Sequence, residues 1–185
     1  MASARFLPAV PPWELGGPQP AIVRLAFSGS VLDAGCGTGE NALHVAAQGL
    51  PVLGVDVAPT AIAAAREAAA RRGLPAEFAV ADALHLDRLG REFDTVLDSG
   101  LFHTFDAAER RQYAESLASV TRRGGRLYVL CFSDAGPDPG PHPVSEAELR
   151  AAFADWRVVS LHPERVGTRF HADGAPGWLA TIERV

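Results

Sequence analysis

Three glycines at alternate positions, Gly35, Gly37 and Gly39, stand between an apolar run, Ser30 to Asp33, and a run with helical periodicity that opens at Glu40 and closes at Gly49. A strand, a tight turn and a helix follow from that order. Glycine there lets backbone approach a ligand, because a side chain would fill the ligand's volume or forbid the torsions of the turn. The same glycines also suit a strand-to-helix turn that holds nothing, so the surrounding sequence has to decide. It repeats the unit. Pro51 to Val57 reads as a buried strand, and Pro59 takes a favourable first helical position before an alanine-rich stretch to Arg72, with Gly73 past the end. Glu77 to Val80 and Phe93 to Asp98 are a third and a fourth strand. A helix follows from Asp106, with Glu109 at capping-box spacing and Tyr113, Leu117 and Val120 on its buried face, and Arg122 to Gly125 is expected to end it. Arg126 to Phe132 reads as a fifth strand, Ser133 to Val144 as a proline-rich loop, and Ser145 with Glu148 as the start of a short helix to Ala154. Strand candidates at Trp156 to Leu161 and Trp178 to Glu183 have no helix between them and are expected to pair antiparallel.

This alternation predicts an α/β fold with a mostly parallel sheet, right-handed crossovers and helices on both faces. Ligands of such sheets bind beyond the carboxyl ends of the strands, which directs attention to Asp33, Asp56, Asp82 and Asp98. With 185 residues the chain suits one domain, 28–185, preceded by an arm, 1–27, whose first 20 residues carry prolines and glycines that oppose regular helix.

Seventeen basic against 22 acidic residues give a net charge of -5, which removes the basic footprint that nucleic-acid binding needs. Every basic residue is arginine, so a lysine Schiff base and a P-loop lysine are both excluded. Cys36 and Cys131 are expected as free thiols in a reducing cytoplasm. Met1 to Val10 lacks the apolar run of a secretory signal and no transmembrane stretch occurs, so a soluble, cytoplasmic protein without membrane contact is expected. Neither C-x-x-C nor H-x-x-x-H spacing is present, and no metal is assigned. Oligomeric state is not legible.

The four aspartates differ in what each can hold. Asp33, two positions before Gly35, would repel a pyrophosphate and attract an ammonium; Asp56, about twenty residues on, can accept from both hydroxyls of a ribose; Asp82 suits the exocyclic amine of adenine. Together they describe a nucleoside that bears an amine and no phosphates.

On these residues the segment 28–135 resembles the class I S-adenosylmethionine (SAM)-dependent methyltransferases. The resemblance implies a Rossmann-like, seven-stranded sheet and SAM as cofactor, with S-adenosylhomocysteine as product. It implies that Asp33 and the loop Gly35, Gly37, Thr38, Gly39 lie near the methionine part. Asp56 with Val57 would lie at the ribose, Asp82 with Ala83 at the adenine, and Asp98 with Ser99 near the methionine and the substrate mouth. The segments Pro12 to Pro20 and Asp98 to His103 are similar to a bacterial branch that methylates quinolone-like and quinone-like heterocycles, and Trp13 is shared with thiopurine and thiol or halide methyltransferases. By that resemblance the arm closes over the cofactor through Trp13 and Gln19. The alternative reading of Trp13 is that it only pins the arm to the core.

His103, five residues after the fourth strand, is the candidate general base toward an acceptor hydroxyl, and His142 in the proline-rich loop is the reserve; each could also be structural. Phe102, His103 and His142 are expected to bind the substrate, and Leu101, Phe105, Phe132, Phe170 and Trp178 to wall its pocket. The expected reaction is methyl transfer to an oxygen of a small aromatic or heteroaromatic molecule. Sulfur or nitrogen acceptors are the alternative, and a nicotinamide oxidoreductase or a non-catalytic cofactor-binding protein are alternatives of another class.

Overall fold

The computed structural model describes residues 10–185; expectations for 1–9, including part of the arm and of the segment tested for a secretory signal, lie outside the described residues. Apolar runs flanked by glycine form the first strands: β1 (Val31–Ala34) and β2 (Val52–Asp56) are almost wholly buried, as strands covered on both faces must be. Between them α2 (Glu40–Ala47) starts at Gly39, a left-handed position with φ 89°. A short α1 (Pro20–Val23) precedes β1, and α3 (Pro59–Arg72) begins on Pro59 and ends at Gly73, φ 63°. β3 (Glu77–Val80), a 3-10 helix over Ala83–Leu89, β4 (Phe93–Ser99) and a second 3-10 turn at Phe102–Thr104 follow. The capping boxes at Asp106/Glu109 and Ser145/Glu148 are both formed, opening α4 (Ala107–Val120) and α5 (Glu146–Ala152).

The seven strands lie in the order β3-β2-β1-β4-β5-β7-β6, where β5 is Thr121–Phe132, β6 is Arg157–Thr168 and β7 is His171–Glu183. The first five pair in parallel and β7 pairs antiparallel to both β5 and β6. Strand order reverses at β1 and β4, which places the carboxyl ends carrying Asp33 and Asp98 at the crevice where such folds bind ligands. Alternate residues divide between two layers: Leu32, Val96 and Leu127 pack under α4 and α5, whereas Val31 meets α2 and α3, and Leu97 and Leu130 meet α1. Among the described residues no helix is long and apolar enough to cross a membrane.

Three expectations are corrected. Arg122 to Gly125 does not close α4; the helix ends at Val120 and these residues already belong to β5. The arm contains α1, since Pro20 occupies the first helical position, where it loses no hydrogen bond. The last two strands extend far beyond Leu161 and start well before Trp178. Pro163 is tolerated because β6 is an edge, and Pro176 because β5 ends opposite Gly177, so no neighbour there needs its missing N–H.

Candidate functional site

The carboxylates at the strand ends occupy different environments. Asp33 is buried with neither oxygen hydrogen-bonded, and burial, reinforced by the charge of Asp98, pushes its pKa up to about 7. Asp98, also buried, accepts from the N–H groups of Leu101 (3.0 Å) and Phe102 (3.3 Å) through Oδ1, while Oδ2 has no partner; burial raises it to about 6 despite those donors. The Tyr113 phenol neighbours Asp98 without a hydrogen bond of ordinary geometry, and burial raises its pKa as well. Asp56 joins two loops, accepting from Gly37 N and Ala58 N, each at 2.9 Å. Asp82 is exposed and caps the 3-10 helix by accepting from Leu84 N (2.9 Å), with Ala83 beside it; Val57 is exposed at the end of β2.

A cavity of about 250 Å³ is lined by Asp56 and the glycine loop together with Ser99, Gly100, Leu101, His103, Thr104, Phe132 and Val166. An outer recess of about 900 Å³ adjoins it between the arm and the start of α3, and the two share Trp13, Glu14, Gly37, Thr38 and Asp56. The glycines do different work here. A Cβ on Gly39 would lie 2.8 Å from the Phe78 ring and 2.9 Å from Ala65, so that residue serves helix-to-sheet packing. Gly37 would meet only Glu14 Oε1, at 3.6 Å, and leaves its side open to the cavity.

The arm is tied down at several points. Thr38 Oγ1 donates to Glu14 Oε2 (2.7 Å) and Gln19 N to Asn41 Oδ1 (3.0 Å). The Gln19 amide pairs in both directions with Gly167 of β6, donating to its carbonyl at 3.0 Å and accepting from its N–H at 2.8 Å. Arg169 N donates to the Pro12 carbonyl (2.8 Å), and Trp13 borders both cavities while 62 % exposed. Gln19→Ala should therefore destabilise the protein by about 1–3 kcal/mol, the usual effect of orphaning part-buried partners. Faster proteolytic nicking of the arm should accompany the lower Tm; an unchanged digestion rate would count against the clasp.

His103, in the lining of the cavity, is 8 % exposed, its ring 4.5 Å from that of Phe132, and burial first, then the positive charges of His142 and Arg110, lowers its pKa to about 4. Leu101 and Phe132 line the cavity as expected. Four other expected walls do not. Phe102 is fully buried against Phe153 under the Arg110 guanidinium, and Phe105 packs on Tyr113. Trp178 donates its Nε1–H to the Val144 carbonyl within the core, and Phe170, at the β6–β7 turn, is 79 % exposed. His142 stands exposed on its loop with φ 52°. Glu14, Asn41 and Val166 enter the site without having been singled out. The first two adjoin Trp13 and the glycine loop, which is the available signal; Val166 lies in the part of β6 beyond Leu161, where the sequence predicts no strand. Cys36 is half-buried with its thiol pKa raised by burial, so it is no ready nucleophile. Among the described residues no cluster of His, Cys, Asp and Glu could hold a metal.

Three orphaned, buried carboxylate oxygens beside a glycine cradle fit an ammonium-bearing nucleoside. Comparison with known proteins agrees. The family described as "Methyltransferase domain" matches residues 31–125. The chain is 41% identical to 2-heptyl-1-hydroxyquinolin-4(1H)-one methyltransferase of Mycobacteroides abscessus, over 91% of this chain and 80% of that protein. A structure reported for the conversion of a disulfide bond into a thioacetal group during echinomycin biosynthesis superposes with TM-score 0.86 and 40% identity, covering 94% of this chain and 84% of that one. Magnesium protoporphyrin IX methyltransferase from Synechocystis PCC 6803, solved with bound SAM, shares the fold at TM-score 0.65 and 23% identity, over 84% of this chain and 69% of that one. The chain belongs to the methyltransferase-domain family and is a SAM-dependent methyltransferase.

Proposed function

We propose that the enzyme methylates an oxygen of a small aromatic or heteroaromatic molecule. The observation that carries this reading is the lining of the cavity, which brings Asp56 and the glycine loop together with the apolar side chains of Leu101, Phe132 and Val166 and one imidazole, His103. The hydroxyquinolone activity of the 41% identical relative supports it.

SAM, when bound, supplies the methyl group on a sulfonium. In this reading Asp33 and Asp98 take the ammonium, Gly35, Gly37 and Thr38 let the backbone approach the methionine part, and Gly39 holds that turn in place by packing on Phe78 and Ala65. Asp56 with Val57 accepts from the ribose, Asp82 with Ala83 borders the adenine, and Ser99 lies at the mouth. Trp13 and Gln19 belong to the covering arm, 1–27. Holding nucleophile and carbon in line is the larger part of the task, since alignment can supply roughly 7–11 kcal/mol of a barrier. A net charge of -5 supports a small molecule over a nucleic acid as acceptor. A sulfur acceptor is the second reading, favoured by the disulfide-to-thioacetal conversion reported for the 40% identical structure.

Calorimetric titration with SAM, S-adenosylhomocysteine and NADH, in wild type and Asp56→Ala, tests the cofactor assignments. Micromolar binding of both sulfur nucleosides, weakened at least tenfold in Asp56→Ala and absent for NADH, is expected; an unweakened variant removes Asp56 from the ribose. Mass spectrometry of products from matched phenols and thiols then reads which atom gains the methyl group.

A further inference from the structure

Gly100, with φ 91°, turns the chain away from β5 immediately after β4 ends at Ser99. Its N–H still donates to the Leu130 carbonyl at 2.8 Å, but the ladder stops there. The Phe132 carbonyl, two residues further along β5 on the same side, accepts from Val144 N at 3.0 Å. The Phe132 N–H, pointing the same way, meets His103 Nδ1 at 3.5 Å. Gly140 presses on the Phe132 ring so closely that a Cβ there would lie 2.5 Å from it, which keeps the ring against His103.

A buried backbone N–H is rarely left without an acceptor, so Nδ1 is the lone-pair nitrogen and the proton of the neutral imidazole sits on Nε2. Nε2 has no protein partner and is not among the sealed-off buried polar atoms of the described residues; since His103 lines the cavity, that nitrogen opens onto it. A histidine that acts as general base is arranged the other way round, with Nδ1–H donating to an acceptor so that Nε2 can take a proton. Here a donor faces Nδ1.

We infer that His103 offers its Nε2–H to the reacting oxygen, and that the acceptor is a small molecule whose hydroxyl is acidic enough to arrive as an oxyanion: an electron-poor phenol, an enol or an N-hydroxy heteroarene. The inference rests on the methyl transfer to oxygen proposed above. In the transfer the oxyanion's lone pair forms the C–O bond while the C–S bond breaks and its electron pair stays on sulfur. One negative and one positive charge are consumed together and no proton leaves. The charged groups facing His103 agree: Arg110 from α4 and His142 from the 133–144 loop both oppose an imidazolium, and burial opposes it more strongly.

The test is the pH profile of kcat/KM at saturating SAM with 4-nitrophenol and 4-ethylphenol, in wild type, His103→Phe, His103→Gln and His142→Ala. The expected rising limb breaks at each acceptor's own pKa and moves between the two. His103→Phe loses roughly 10- to 100-fold, the usual size of a hydrogen bond to a charged group. His103→Gln keeps an N–H donor but cannot take a proton, and restores most of that loss with the profile unmoved. A limb fixed at one pH for both acceptors, abolished in His103→Gln with a loss of about 10²–10⁴-fold, makes His103 a general base and overturns the inference. A fixed limb abolished only in His142→Ala overturns it in favour of His142. If thiols alone are methylated, the oxygen reading fails, and the same comparison on two thiols of different acidity still decides the role of His103. Optical titration of 4-nitrophenol bound beside S-adenosylhomocysteine needs no turnover: its ionisation should move to lower pH on wild type and not on His103→Phe.

Discussion

Asp33→Asn is expected to make the ligand-free protein more stable at pH 8, by about 2–4 kcal/mol, while weakening SAM binding about 100-fold. Both effects come from one carboxylate that is buried without a hydrogen bond. A carboxyl whose folded pKa lies above its unfolded value of about 3.9 grips its proton more tightly in the folded state. The stabilisation that gives is complete below pH 4 and is lost as the pH rises through the folded values of about 7 for Asp33 and about 6 for Asp98. Asparagine is close in shape to the protonated acid, so wild type and variant should have nearly the same Tm near pH 4 and diverge toward pH 8. Thermal unfolding across that range checks the first half and calorimetry the second. A Tm difference that does not change with pH would mean that Asp33 is not ionised at a cost. The same linkage predicts that SAM affinity of the wild type rises from pH 5 to 8, because a cation recruits ionised carboxylates and expels their protons.

Glycine-to-alanine substitution should separate the two tasks of the loop. Gly39→Ala places a methyl group 2.8 Å from the Phe78 ring at a residue with φ 89°. Overpacking and left-handed strain should together cost roughly 2–5 kcal/mol and lower Tm by many degrees. Gly37→Ala, with φ 54° and only Glu14 Oε1 nearby, should cost about 1–2 kcal/mol, the strain alone. In the proposed reading it nevertheless removes most SAM affinity, because the added methyl group occupies the side left open to the cavity. Unfolding curves and titrations on the two variants form a crossed pair; equal losses of stability would dissolve the distinction.

The parallel half of the sheet was legible because each strand and helix carries its own stop signal. Gly49 and Gly73 close helices, Pro59 opens one, and the two capping boxes open α4 and α5. The terminal hairpin was legible in type but not in extent. Pro163, Gly167, Gly174, Pro176 and Gly177 oppose a strand locally, and only the pairing of β6 with β7, or the absence of a partner at an edge or strand end, makes them acceptable. At the site, the strand-end aspartates and the glycine loop are adjacent in sequence to what positions them. The rest of the cavity lining comes from the turn after β4, the end of β5 and the edge strand β6, whose proximity no local pattern encodes. Aromatic residues near a motif were a poor guide, as Phe102 and Trp178 illustrate by packing into the core.

The position of β7 bears on how the protein is made. It is the last strand in sequence but lies inside the sheet, between β5 and β6. Until it has emerged from the ribosome, β5 presents the unpaired edge of Arg126 to Phe132, a largely apolar run of the kind that pairs with other chains. The parallel strands can collapse during synthesis, but the nascent chain stays adhesive until the β6–β7 hairpin docks. That same event delivers Gly167 to Gln19 and Val166 to the cavity. Solubility and competence to bind ligands are therefore acquired in one late step, and truncations that remove β7 should partition into inclusion bodies instead of yielding a weakened enzyme.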